Sequence, residues 1–179
     1  MRFLAQGFSY PEDEKFIEKG SGVLFDIARD LKISVPQIDQ IPTLQEHQND
    51  FVRLFVAAPG GVPAPPYASY YINSRKLLFQ EGMEQVLEYY YKAGVEPMSK
   101  SEPPDHLSLE LALAGHMIDC GCLSLLNDFL VNHLLLWYPQ FEKKLVEARP
   151  SSWFETLGRV TGELLKQISS MEGGFYEKA

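Results

Sequence analysis

The stretch from Leu107 to Tyr138 constrains the fold most, because it is the longest apolar region of the chain and is apolar on more than one helical face. Leu107, Leu111, Ala114 and Ile118 recur on one face at helical spacing, and Leu109, Leu113 and Met117 fill the neighbouring one. A helix that is apolar over two faces must be surrounded by other elements, so it predicts the centre of a helical assembly. Glu110, His116, Asp119, Asn127, Asp128, Asn132 and His133 interrupt the region, which argues against a membrane span and for buried helices of a soluble protein.

The rest of the chain supplies the surrounding helices. Ser9-Tyr10-Pro11-Glu12 has the form of a helix start, and Phe16, Ile17, Val23, Leu24, Ile27 and Leu31 follow at helical spacing, with Gly20 and Gly22 weakening or breaking the middle. Pro42 to Ala57 predicts a second helix with Leu44, Phe51, Leu54 and Phe55 facing inward. Ala58 to Tyr71 carries too much Pro and Gly for any regular element. Asn73 to Ala93 predicts a helix, kinked near Gly82 and stopped at Gly94. After a loop over Val95 to Pro104, Asp105 is placed to cap the central helix, which runs at least to Asp119. Helices follow over about Leu123 to Trp137, about Gln140 to Ala148 with Pro139 near its start, and Trp153 to Met171, with a frayed tail from Glu172. No stretch shows sustained period-two alternation, so the expectation is an all-α fold, a single-domain helical bundle over residues 1–179. With 45% apolar and 12% aromatic residues, such a domain can build its core without disulfides or metals.

Charge and cysteine usage narrow the function. The net charge of −8 repels phosphate backbones and anionic lipid, so no nucleic acid and no direct membrane insertion are expected; a basic peptide is the partner this field attracts. Cys120 and Cys122 are no disulfide framework, and their spacing is too short for the usual zinc pair. Buried structural thiols are expected, and His116 adds only one further ligand, so no metal is expected. The opening Met1 to Phe8 is too short in its apolar part for a secretory signal, and a cytoplasmic location is expected. Phosphate-binding, dinucleotide and nucleophile-elbow motifs are absent, and no nucleophile stands beside His106, His116 or His133. No catalytic residue is nominated, and neither an enzyme nor a bound cofactor is expected.

Two segments qualify as binding surfaces. The Pro/Gly loop ends in Tyr67, Ser69, Tyr70 and Tyr71, and tyrosines near a rigid loop give large contact area at low entropy cost; a solvated connector is the plainer reading. Glu102-Pro103-Pro104-Asp105-His106 leads into the central helix, where His106 and Glu110 share a face. These residues form either a helix cap with an exposed ion pair or an acidic patch that receives a guanidinium.

The order of the segments is itself informative: Phe8-Ser9-Tyr10-Pro11, then Phe51-Val52-Arg53-Leu54-Phe55, Pro66-Tyr67-Ala68-Ser69-Tyr70-Tyr71, Glu102-Pro103-Pro104-Asp105-His106-Leu107-Ser108-Leu109-Glu110-Leu111, and His133 to Phe141. Over nearly its whole length the chain resembles the TorD/DmsD/NarJ family of redox-enzyme maturation chaperones. The resemblance implies an all-helical cytoplasmic chaperone, monomeric or a helix-exchanged dimer. Its partner would be the apo catalytic subunit of a molybdopterin oxidoreductase and that subunit's twin-arginine leader, before export. By motif it implies a client-binding surface of Tyr67, Ser69, Tyr71, Glu102, Asp105, His106 and Glu110. A permanent helical subunit or adaptor of an oxidoreductase complex is the alternative.

Overall fold

The computed structural model of the chain describes residues 1–38, 40–72, 81–97 and 102–172. These hold α1 (Arg2–Gly7), α2 (Glu14–Asp30), α3 (Leu44–Phe51), α4 (Ala68–Ile72), α5 (Glu81–Lys92), α6 (Leu107–Asp119), α7 (Leu123–Phe129), α8 (Leu135–Glu147) and α9 (Ser152–Glu172). Wide π-helical turns, Val52–Val56 and Leu130–Leu134, continue α3 and α7. Among the described residues there is no strand, only an isolated antiparallel bridge pairing Tyr67 with His106. The all-α expectation holds. No helix among them is long and apolar enough to cross a membrane. The tail over 173–179 and the 73–80 part of the helix expected over Asn73 to Ala93 lie outside the described residues.

Several boundaries differ from the sequence reading for local reasons. The second helix starts at Glu14, not Ser9, because the Asp13 side chain accepts the Lys15 N–H and sets the cap there. Gly20 and Gly22 do not break it: Ile17, Leu24 and Ala28 bury one face, and Gly20 and Ser21 lie within that buried set. α3 opens on a capping box in which the Thr43 hydroxyl accepts from Glu46 N and the Glu46 carboxylate accepts from Thr43 N at 2.9 Å. Pro139 lies inside α8 rather than ahead of a new helix; it is the fifth residue, and the interruption of the regular ladder falls upstream in the π turn.

The chain divides into two compact units that alternate along the sequence. The first comprises the described residues of Met1–Phe8, Pro66–Gln140 and Leu165–Ala179. Its middle is α6, with Leu107, Leu111, Leu113, Ala114 and Met117 buried. The first of the two expected apolar faces is incomplete at its end, since Ile118 is 40% exposed. α1 packs on α6 across Gly115, where a Cβ would stand 3.2 Å from that of Met1. At Gly82 a Cβ would lie 2.7 Å from the Ser69 nitrogen, so only glycine lets α5 rest on the backbone of α4; the expected kink there involves the 73–80 stretch, which lies outside the described residues. α5 ends as expected at Gly94, whose φ of +71° allows the Val95 N–H to reach back to the Tyr90 carbonyl.

The second unit comprises Ser9–Pro65 and Phe141–Leu164, with α2, α3, the first π turn and parts of α8 and α9. Phe51, Phe55 and Phe154 interlock at ring separations of 5.1 to 6.2 Å, and His47 stacks on Phe154 at 4.3 Å with Trp153 edge-on at 4.5 Å. Arg53 donates to the carbonyls of Ala148 and Arg149 past the end of α8, and Asp50 accepts the Ser151 N–H ahead of α9. Polar groups at both helix termini are thus satisfied from one short stretch around α3.

Candidate functional site

The site grows from the junction between the Pro/Gly loop and the start of α6. Leu107 N donates to Pro66 O at 2.8 Å and Ala68 N to Asp105 O at 3.0 Å, which zips the loop's last residues to the approach of the helix. The loop is no solvated connector at this end, since Ala64, Pro65 and Pro66 are buried.

Asp105 does not cap α6. Its Oδ2 accepts the Ser69 N–H at 2.9 Å and so closes the first turn of α4 instead. Its Oδ1, like the Ser69 hydroxyl, is buried without a hydrogen-bond partner. The cap of α6 is His106, whose Nδ1 accepts the Ser108 N–H at 3.2 Å and lies 2.7 Å from Ser108 Oγ. An accepting Nδ1 requires a neutral ring, and burial pulls the His106 pKa down to about 4. The expected exposed His106–Glu110 ion pair is therefore absent. The Tyr67 ring stands edge-on to His106 at 5.1 Å, and its hydroxyl donates to Glu102 Oε2 at 3.0 Å. Burial first, and then Glu102, push the Tyr67 hydroxyl well above its ordinary range, so it stays a donor.

One turn into α6, Glu110 is fully buried. Its Oε1 lies 2.8 Å from His133 Nε2, and its Oε2 accepts from Trp137 Nε1 at 3.2 Å. The other ring nitrogen of His133 faces Gln85 Oε1 at 3.3 Å. Two acceptors around one imidazole favour its doubly protonated form. Burial works against that charge, but Glu110 outweighs it and the His133 pKa rises; burial raises the Glu110 carboxyl as well. The pair holds its proton more firmly than either group would in water. Tyr71 stacks on Trp137 at 5.5 Å, and burial raises its hydroxyl pKa.

All seven residues nominated from sequence thus fall in the first unit, in graded depth. Glu102 is exposed, Tyr67 and Tyr71 are half-buried, and Ser69, Asp105, His106 and Glu110 are buried. The acidic patch is a correction: of its three carboxylates only Glu102 reaches the surface. His133, Trp137 and Gln85 were not nominated. The four-residue spacing of His133 and Trp137 places both over Glu110, and the question of what neutralises Glu110 in an apolar helix would have found them. On the far flank of α6, Leu109, Ala112, Leu113 and His116 line a mostly apolar cavity of about 270 Å³ with Tyr90, Val95 and Glu96.

Among the described residues no group of three or more His, Cys, Asp or Glu side chains gathers as a metal site requires. The cysteines are not the buried thiols expected: Cys120 is exposed, Cys122 is half-buried, and their sulfurs are bonded to each other.

The chain matches the family described as nitrate reductase delta subunit over residues 27–143. It is 26% identical over 116 residues to the Tat proofreading chaperone DmsD of Salmonella typhi, covering 64% of this chain and 56% of that protein. It is 32% identical over 111 residues to the chaperone protein TorD of Psychrobacter sp. (strain PRwf-1), covering 56% and 49%. The alignments therefore span about half the length of these relatives. The crystal structure of a putative redox enzyme maturation protein from Archaeoglobus fulgidus superposes with a TM-score of 0.63 at 29% identity, over 92% of this chain and 91% of that one.

Proposed function

The chain belongs to the TorD/DmsD/NarJ family of redox-enzyme maturation chaperones, and from that premise we propose that residues 1–179 act as one cytoplasmic chaperone domain for the apo catalytic subunit of a molybdopterin oxidoreductase. In this reading the domain holds the subunit's arginine-bearing leader until cofactor insertion is complete. It works by binding and release, without catalysis.

The observation that carries the reading is the Asp105 carboxylate. It is 1% exposed, it commits one oxygen to Ser69, and it keeps the other without a donor beside the Tyr67–Glu102 pair. A buried acceptor left unpaired costs about 1–3 kcal/mol, and a guanidinium is the donor that recovers most of it. Glu102 at the surface meets the cation first; a shift of the Tyr67 ring then opens the way to Asp105. His106 and Glu110 hold the approach in place and do not touch the client. The apolar part of the leader fits the cavity between Tyr90 of α5 and Leu109 and Leu113 of α6, with Glu96 at its wall.

Calorimetric titration of the client's leader peptide into the wild type and Asp105→Asn tests this. Asn keeps the acceptor for Ser69 N and removes the charge. Affinity is expected to fall by about 1–3 kcal/mol, with folding stability within about 1 kcal/mol of wild type. Equal affinities would remove Asp105 from the site. A second reading, a permanent subunit of the oxidoreductase, draws on the family's description as a delta subunit. Co-purification separates the two, because a chaperone leaves the mature enzyme and a subunit stays.

A further inference from the structure

We propose that Cys120 and Cys122 form a thiol–disulfide exchange site, a reversible two-electron couple open to thiolates from solution. The proposal is independent of how a client is bound.

Helix-end geometry builds the site. Gly121, at φ +70°, follows the last turn of α6; its N–H donates to the Ile118 carbonyl, and the next N–H, that of Cys122, reaches back to Met117 at 2.9 Å. This pair of bonds is the glycine-terminated helix stop also seen at Gly94. It turns the chain sharply, so the residues on either side of the glycine approach each other. Here both are cysteines, their Cα atoms 5.5 Å apart, within the range a disulfide spans, and their sulfurs are joined. At the other such stop the flanking residues are Ala93 and Val95, so the turn does not itself demand sulfur.

Position then decides reactivity. A structural disulfide closes a long loop or lies in a core, whereas this one encloses a single residue and so removes little chain entropy from the unfolded state. Cys120 is exposed and Cys122 half-buried, at the start of α7. Exposed disulfides of this kind are the exchangeable ones. No other cysteine occurs in the chain, so nothing within it competes for either sulfur.

The exchange balances with a thiol as co-reactant. A thiolate attacks the Sγ of Cys120, the more exposed residue; the S–S bond breaks, and Cys122 leaves as a thiolate that takes a proton from water. A second thiolate attacks the external sulfur of the mixed disulfide and releases Cys120. Two thiols are oxidised to one disulfide, and the protein disulfide is reduced to two thiols.

The test equilibrates the full chain in glutathione buffers from fully reduced to fully oxidised, quenches with an alkylating agent and weighs the protein. The count is expected to pass from two labels per chain to none, with monomer-linked product only on a non-reducing gel. Dithiothreitol should reverse it. Cys122→Ser should trap a glutathione adduct on Cys120 faster than Cys120→Ser traps one on Cys122. Two labels at every poise, oxidation only to cross-linked dimers, or a disulfide that dithiothreitol leaves intact in the folded chain would each overturn the proposal. Helical dichroism of both variants matching wild type keeps a folding defect from imitating any of these outcomes.

Discussion

His47 and His133 are both buried in helical segments, yet the two units treat them in opposite ways. His133 sits between two oxygen acceptors, Glu110 and Gln85, and its pKa is raised. His47 sits between the rings of Trp153 and Phe154, its Nδ1 is buried without a partner, and burial lowers its pKa to about 4 despite the pull of Asp50. The same side chain holds its proton more firmly in one setting and serves as an aromatic spacer in the other. Burial alone therefore says nothing about the charge of a histidine; the atoms across from its nitrogens decide it. The first unit is organised around a buried polar network that has to be satisfied. The second is organised around ring packing that tolerates an idle nitrogen.

The sharpest way to break this comparison is to remove one member of the ionic pair. Glu110→Ala leaves the His133 Nε2 and the Trp137 N–H without their buried acceptor, and should cost about 3–5 kcal/mol in urea unfolding. A loss below about 1 kcal/mol would mean that the pair carries no charge. Leu111→Ala, on the buried face of the same helix, should cost about 2–5 kcal/mol through lost burial and the cavity left behind. Its effect should not depend on pH, whereas that of Glu110→Ala should.

Acidity sharpens the contrast. His47 and His106 have folded pKa values near 4, below the ordinary 6.5, so the unfolded chain binds more protons between those values. Their contribution is complete above pH 6.5 and is lost as pH falls towards 4. His133 and Glu110 are both raised, so their contribution is greatest on the acid side and declines as pH rises through the folded values. Replacing His47 with Phe should flatten the acid limb of a stability–pH curve and leave the alkaline limb unchanged. Proton NMR of the ring resonances should show His133 titrating well above His47, and the reverse order would end the comparison. The smallest expected effect is that of Thr43→Ala. It removes the capping box of the helix carrying His47, costing about 1 kcal/mol, with the His47 resonance unmoved.

The helical architecture was legible because apolar period and stop signals are local. Gly94 and the buried face of Leu107, Leu111 and Ala114 are read from spacing alone. The seven nominated site residues do come together, but their depth was not legible. Asp105 precedes a helix, and the cap rule assigns it to that helix; its actual partner, Ser69, lies 36 residues away. The Glu110–His133 pair, 23 residues apart, follows the same logic. Cys120 and Cys122 are not buried as expected, because Gly121 takes the chain out of the helix between them, at its exposed end.

The Asp105–Ser69 bond also has a consequence for synthesis. A ribosome delivers α4 well before the carboxylate that closes its first turn, and α1 well before α6, on which it packs. Glu110 in turn waits for His133 and Trp137. No nascent fragment ending before Trp137 holds the full set of these bonds, so the buried network cannot close until synthesis has passed that residue. The order of translation thereby sets the earliest point at which this part of the fold can be completed.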